Sequence, residues 1–272
     1  MSSAEIVINN SATKTEPDPR GKVFVTSSHG GLFVGFLAAK FGIRAGVYND
    51  AGVGKDRSAI AGLDYLEKEG IAAVTVDSHS AMIGNGRDVY ENGVLSFVNG
   101  PAAKVGCVKG MRCRDAVELL KNAPLVEVQA PTFRETRTNI FEDFPRVVCI
   151  DSASLVSPDD KNAIVITGSH GGLLGGEKKT ALKYDAIAAF YNDAGMGKNN
   201  AGVSRLPALD ERGIIAGTVS SMSAKIGDGI STYQDGVLSC VNKKAEEFGG
   251  KPGMRLKDFI DLIRARLNGR SS

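Results

Sequence analysis

The sequence predicts an α/β protein, internally duplicated, with two pseudo-twofold-related halves each built on a parallel sheet. Two observations predict this. Short β-branched runs ending in small polar residues alternate with amphipathic stretches, the pattern of buried parallel strands joined by crossover helices. The same phrases then recur at a near-constant spacing, which makes the repeat the organising feature of the chain. VYNDAGVGKD at Val47–Asp56 returns as FYNDAGMGKN at Phe190–Asn199, with Asp193 standing 143 positions after Asp50. AMIGNGRDVYENGVLSFVN from Ala81 returns as AKIGDGISTYQDGVLSCVN from Ala224 at the same spacing, while SHGG at Ser28 and again at Ser169 is 141 apart. The second copy therefore carries two extra residues between SHGG and YNDAG.

Each copy unfolds in the same order. KVFVTSS (Lys22–Ser28) and AIVITGS (Ala163–Ser169) are the first strands, and GLFVGFLAAKFG and GLLGGEKKTALKYD are predicted to follow as helices. RAGVYND and AIAAFYND form the second strands, and DRSAIAGLDYLEKEG has apolar Ile60, Leu63 and Leu66 at helical spacing with a glycine stop. IAAVTVDSHS and IIAGTVSSMS form the third strands, followed by predicted helices from Gly93 and Gly236 with Asn92 and Asp235 as N-caps. The domains expected are a first α/β repeat over 1–121, a proline-containing charged linker over 122–145, and a second α/β repeat over 146–272.

Composition excludes several classes. At 272 residues, 42% hydrophobic and 24% charged, with a net charge of +2, the chain has the balance of a soluble globular protein. It shows no basic run for nucleic acid and no apolar stretch near the ~20 residues a membrane helix needs. Its four cysteines lack zinc spacing, and Met1–Arg20 is polar and broken by prolines. A cytoplasmic protein without metal or cofactor is expected, with a small-molecule partner and room for a homo-oligomer.

Ligands of open parallel sheets bind beyond the carboxyl ends of the strands, which is where every repeated polar phrase falls. Ser28, His29, Asp50, Ser169, His170 and Asp193 are the candidate catalytic residues: serine as nucleophile, histidine as base or donor, aspartate as orienter or base. Gly30, Gly31, Gly171 and Gly172 offer backbone N–H groups to an oxyanion. Asn49, Gly54 and Lys55, with Asn192, Gly197 and Lys198, form glycine-rich approaches suited to an anion, although a nucleotide-binding P-loop is ruled out by Asn49 and Asn192 where it needs glycine. His79, Ser80, Ser223 and Lys225 complete the substrate-binding candidates; His79 and Lys225 have no match in the other copy. The structural alternatives are a serine helix cap, an Asx turn at each aspartate, and a surface position for Lys225. Thr26 and Thr167 stand where a nucleophile elbow requires glycine, so this is not an α/β-hydrolase signature.

These residues favour a metal-independent hydrolase of a small polar, anionic amide, imide or ester. The alternatives are an isomerase or lyase moving protons with His and Asp or Lys, and a non-catalytic metabolite-binding protein. In being assembled from internal repeats the chain resembles the ring-opening amidohydrolases. That group uses three repeats and other motifs, so the resemblance points toward small cyclic amides or imides and assigns no residue.

Overall fold

The computed structural model describes residues 5–129 and 132–269; residues 1–4, 130–131 and 270–272 lie outside them. The chain divides into two compact units. The first comprises 1–53, 57–133 and 196–201; the second comprises 54–56, 134–195 and 202–272.

The first unit holds strands β1 (Ile6–Asn9) and β2 (Val23–His29), helix α1 (Leu32–Phe41), β3 (Ala45–Asn49), α2 (Ala61–Lys68), β4 (Ala72–Val76), α3 (Gly86–Asn92), β5 (Leu95–Val98), α4 (Gly100–Lys104) and α5 (Cys113–Leu120). Its sheet runs β1-β2-β3-β4-β5, parallel except for β5. Strand alternation sorts the core into two layers. Val23, Val25, Val47, Val74 and Val76 pack with Val89 of α3 and with Ala116, Val117 and Leu120 of α5. Phe24, Tyr48 and Ala73 face the other way, against Val34 and Ala38 of α1 and Leu63 and Leu66 of α2.

The second unit holds β6 (Arg137–Phe141), β7 (Arg146–Ile150), β8 (Ala163–His170), β9 (Ala188–Asn192), α6 (Arg205–Glu211), β10 (Ile215–Val219), α7 (Gly229–Asp235), β11 (Leu238–Val241), α8 (Lys243–Glu247) and α9 (Leu256–Asn268). Its sheet runs β11-β10-β9-β8-β7-β6, with β7 to β10 parallel and the two edges antiparallel. The 122–145 connection contributes β6. Arg137 on that strand pairs with the fully buried Asp160, which Arg146 also reaches at 2.9 Å. Burial raises the pKa of Asp160, but the two guanidinium partners and the Ser157 N–H lower it further, so it stays ionised.

Two local expectations are corrected. The segments from Gly93 and Gly236 are strands, because VLSF and VLSC are β-branched and apolar and pair antiparallel with the preceding strands. The helices come earlier, N-capped by Asn85 and Asp228, whose side chains accept from Asp88 N and Ser231 N. The stretch after the second SHGG is not helical: Gly175 and Gly176 adopt positive φ (63° and 72°), and only a single 3₁₀ turn forms, over Lys178–Thr180.

Candidate functional site

In the first unit the ends of β2, β3 and β4 deliver Ser28 and His29, Asn49 and Asp50, and Asp77–Ser80 to one sheet edge. His29 and Asn49 are register partners. The imidazole folds back on its own loop: Gly31 N–H donates to His29 Nδ1 at 3.1 Å. A Cβ at residue 31 would lie 2.6 Å from Nδ1, so glycine is required for this packing. With Nδ1 accepting, the ring is neutral and its proton sits on Nε2. Desolvation lowers the His29 pKa to about 4, although the residue as a whole is half-buried, so this state holds at neutral pH. In the second unit Gly172 N–H donates to His170 Nδ1 at 3.1 Å, giving the same tautomer.

Asp50 and Asp193 are each 5% exposed and make the same bonds. Asp50 Oδ1 accepts from Gly52 N and Ser78 N, both at 3.0 Å; Asp193 Oδ1 accepts from Gly195 N and Ser221 N, both at 2.9 Å. Among the described residues the second oxygen, Oδ2, takes no hydrogen bond in either case. The carboxylates brace unusual backbone. Ala51, Gly52, Val53 and Gly54 all have positive φ, 45° to 71°, and so do Ala194, Gly195, Met196 and Gly197, 49° to 69°. Left-handed runs of four residues with two non-glycine members each, one of them the β-branched Val53, are strained and persist only where the surroundings over-determine them.

The other candidates are placed as follows. Ser28 Oγ accepts from Ala12 N and Ser169 Oγ from Ala153 N, each at 2.9 Å, and both serines precede their histidine on an extended strand, where successive side chains point to opposite faces. Gly30 N donates to Asn49 O and Gly171 N to Asn192 O, so with Gly31 and Gly172 bonded to the histidines all four loop amides are engaged. Asn49 and Asn192 are fully buried, their amides spent on Ala81 O and Ala51 N, and on Ala224 O and Ala194 N.

Lys198 lies in the first unit, where Nζ reaches Asp88 Oδ1 at 2.8 Å, and Gly197 sits where a Cβ would meet Ser78 O at 2.9 Å. Lys55, next to Gly54 in the second unit, reaches Asp235 at 2.9 Å. Lys225 pairs with Asp56 at 3.2 Å, not with Ser223, whose hydroxyl donates to Ser220 O and accepts from Val237 N. Ser80 is bonded the same way, to Asp77 O and Val94 N. His79 is exposed beside Asp77, 3.5 Å away.

Sequence reasoning missed the acidic partners of the lysines. Position 88 carries Asp and position 92 Asn in the first copy, whereas the matching positions carry Ser231 and Asp235 in the second. Each copy keeps one carboxylate at a swapped place, a signal readable from the alignment of the two copies. Burial raises the pKa of Asp88, but bonds from Lys198, Met82 N and Asn92 outweigh it and hold the carboxyl below its usual range.

Fold and site together define an α/β protein with a histidine and an aspartate at the ends of adjacent strands in each unit. No family model matches the chain, and the searches of curated proteins and of solved structures returned no match. Among the described residues no cluster of three or more His, Cys, Asp or Glu is arranged to hold a metal ion, and no helix is long and apolar enough to cross a membrane.

Proposed function

We propose that the chain is an enzyme moving protons on the carbon acid of a small, polar, carbonyl-bearing metabolite, as an isomerase or lyase does. The carrying observation is an imidazole fixed as a neutral Nε2–H donor one strand away from a carboxylate with one braced and one unbonded oxygen. In this reading His29 donates to the substrate carbonyl oxygen as enolate charge develops, and Asp50 Oδ2 takes the proton; His170 and Asp193 do the same in the second unit. The recurrence of every contributing residue supports a duplicated ancestral half with one site in each copy.

The serine-hydrolase reading has weaker support. It needs a serine hydroxyl next to an accepting imidazole nitrogen and glycine amides aimed at an oxyanion. In this structure Ser28 Oγ is bonded to Ala12 N, and Gly30 N and Gly31 N are engaged within the loop. The test is incubation with a panel of small keto and hydroxy acids, amides and imides in D₂O, followed by proton NMR. The expected result is solvent deuterium entering a carbon next to a carbonyl, slowed about 100-fold or more in the Asp50→Asn, Asp193→Asn double variant. Turnover that consumes water, incorporates no deuterium and is abolished by Ser28→Ala with Ser169→Ala would overturn it in favour of the hydrolase.

A further inference from the structure

Arg205 begins α6, is 5% exposed, and forms no ion pair among the described residues. Its Nε donates to Gly172 O at 2.9 Å, and one terminal nitrogen donates to Thr180 O at 2.9 Å and Ala181 O at 2.6 Å. The guanidinium lies 5.0 Å from the centre of the Tyr191 ring. The matching residue of the first copy is Gly62, where a Cβ would lie 2.5 Å from Gly31 O and 2.8 Å from Gly30 O.

The exchange has a structural reason. In the first unit α1 follows SHGG, packs closely on Gly62, and supplies Gly35 N–H to Gly31 O at 3.1 Å. In the second unit the segment after SHGG is not helical, so its carbonyls need donors from elsewhere, and the five-donor guanidinium provides them. A side effect is a buried positive charge bonded to the carbonyl of Gly172, two residues after His170 in the chain, with no carboxylate paired to it among the described residues.

We propose that Arg205 is a positioning and specificity-determining residue of the His170 site. It fixes Gly172, whose N–H fixes the imidazole, and its charge makes this site prefer a carboxylate-bearing ligand, a preference the His29 site lacks. The inference rests on the strand-end sites proposed above.

The test uses the full-length protein with ¹⁵N-labelled histidine; with three histidines in the chain, each imidazole is assignable by substitution. Malonate serves as the probe. In the wild type the His170 resonances are expected to respond at about tenfold lower malonate than those of His29, the size of effect one charge has at roughly 10 Å in a protein-like dielectric. Arg205→Gln should erase this difference and mix the His170 tautomers while leaving His29 unchanged. Arg205→Lys, which keeps the charge but not the fork, should preserve the preference and still mix the tautomers; it carries the test if the glutamine variant does not fold.

Equal malonate response of His29 and His170 in the wild type would overturn the proposal. So would a folded Arg205→Gln or Arg205→Lys protein whose His170 tautomer matches the wild type. None of these readouts needs turnover, so absence of deuterium exchange on substrates would refute the proton-transfer reading alone.

Discussion

Asp50 is predicted to brace the strained turn with its oxygen atom and to serve chemistry with its charge, and two substitutions separate the roles. Oδ1 accepts two backbone N–H bonds at 3.0 Å, from Gly52 and from Ser78, the latter 2% exposed. Hydrogen bonds to a charged acceptor contribute about 1.5–3 kcal/mol each, so Asp50→Ala, which leaves both donors without a partner, should destabilise the site by about 3–5 kcal/mol. Asp50→Asn keeps an amide oxygen in place, and with neutral bonds of about 1 kcal/mol each it should lose only about 1–2 kcal/mol. Native-state hydrogen exchange at the Gly52 and Ser78 amides reads the site locally, which suits a chain with two units. Equal loss of protection in the two variants, within about 0.5 kcal/mol, would refute the division between acceptor and charge.

Because the His29 pKa falls from 6.5 unfolded to about 4 folded, the unfolded chain binds the extra proton, and stability present above pH 6.5 is lost as pH falls toward 4. The loss reaches about 2 kcal/mol at pH 5 as an upper figure for this half-buried residue, and His29→Gln should remove that part of the acid limb in urea titrations. Glu135 has the opposite sign. Burial, opposed by a bond from Ser152 and reinforced by Asp151, raises its pKa to about 7, so its contribution, present below about pH 4.5, is lost as pH rises through 7. Glu135→Gln should therefore stabilise the protein at pH 8 by about 2 kcal/mol and much less at pH 5. Lys198→Met strands the Asp88 carboxylate, 9% exposed, at about 1–3 kcal/mol; a double-mutant cycle with Asp88→Asn should show at least about 1 kcal/mol of coupling, and additivity would contradict the pair. Gly62→Ala drives a methyl against the Gly30 and Gly31 carbonyls and should cost about 2–3 kcal/mol in chemical denaturation despite the better helix propensity of alanine.

Much of the architecture was legible because parallel strands buried on both faces leave a strong imprint. VFVTSS, AGVYN and AAVTV are buried throughout and carry apolar and β-branched residues without strict alternation, and each ends at the polar phrase that the fold brings to the strand end. What failed was local competition that composition does not reveal. GVLSFV has apolar residues at spacings a helix tolerates, and antiparallel pairing with β4 decided it as β5. LLGGEKKTALK contains good helix formers, yet Gly175 and Gly176 at positive φ and the donors of Arg205 replace the helix that α1 forms in the first unit.

At the site, the histidines and aspartates were legible as repeated residues at strand ends, but their hydrogen-bond states were not. The choice of Gly31 N–H as partner of His29 depends on a loop folding back within 3.1 Å. The left-handed turn at Ala51–Gly54 was hidden because alanine and valine are poor signals for positive φ. The ion pairs of Lys55, Lys198 and Lys225 join residues 110 to 180 positions apart in the chain; the swap between Asp88–Asn92 and Ser231–Asp235 foreshadows the first two, and nothing in the sequence foreshadows Lys225 with Asp56.

The proposed chemistry depends on His29 being held as a neutral Nε2–H donor on the strand next to the one that leads into Asp50. Long-range ¹H–¹⁵N correlation spectra of the imidazoles at pH 7, followed down to pH 4, test it most directly. A protonated Nε2 and an unprotonated Nδ1 are expected for His29, unchanged until the pH nears 4. A protonated Nδ1 at pH 7, or a ring that titrates near 6.5, would contradict it.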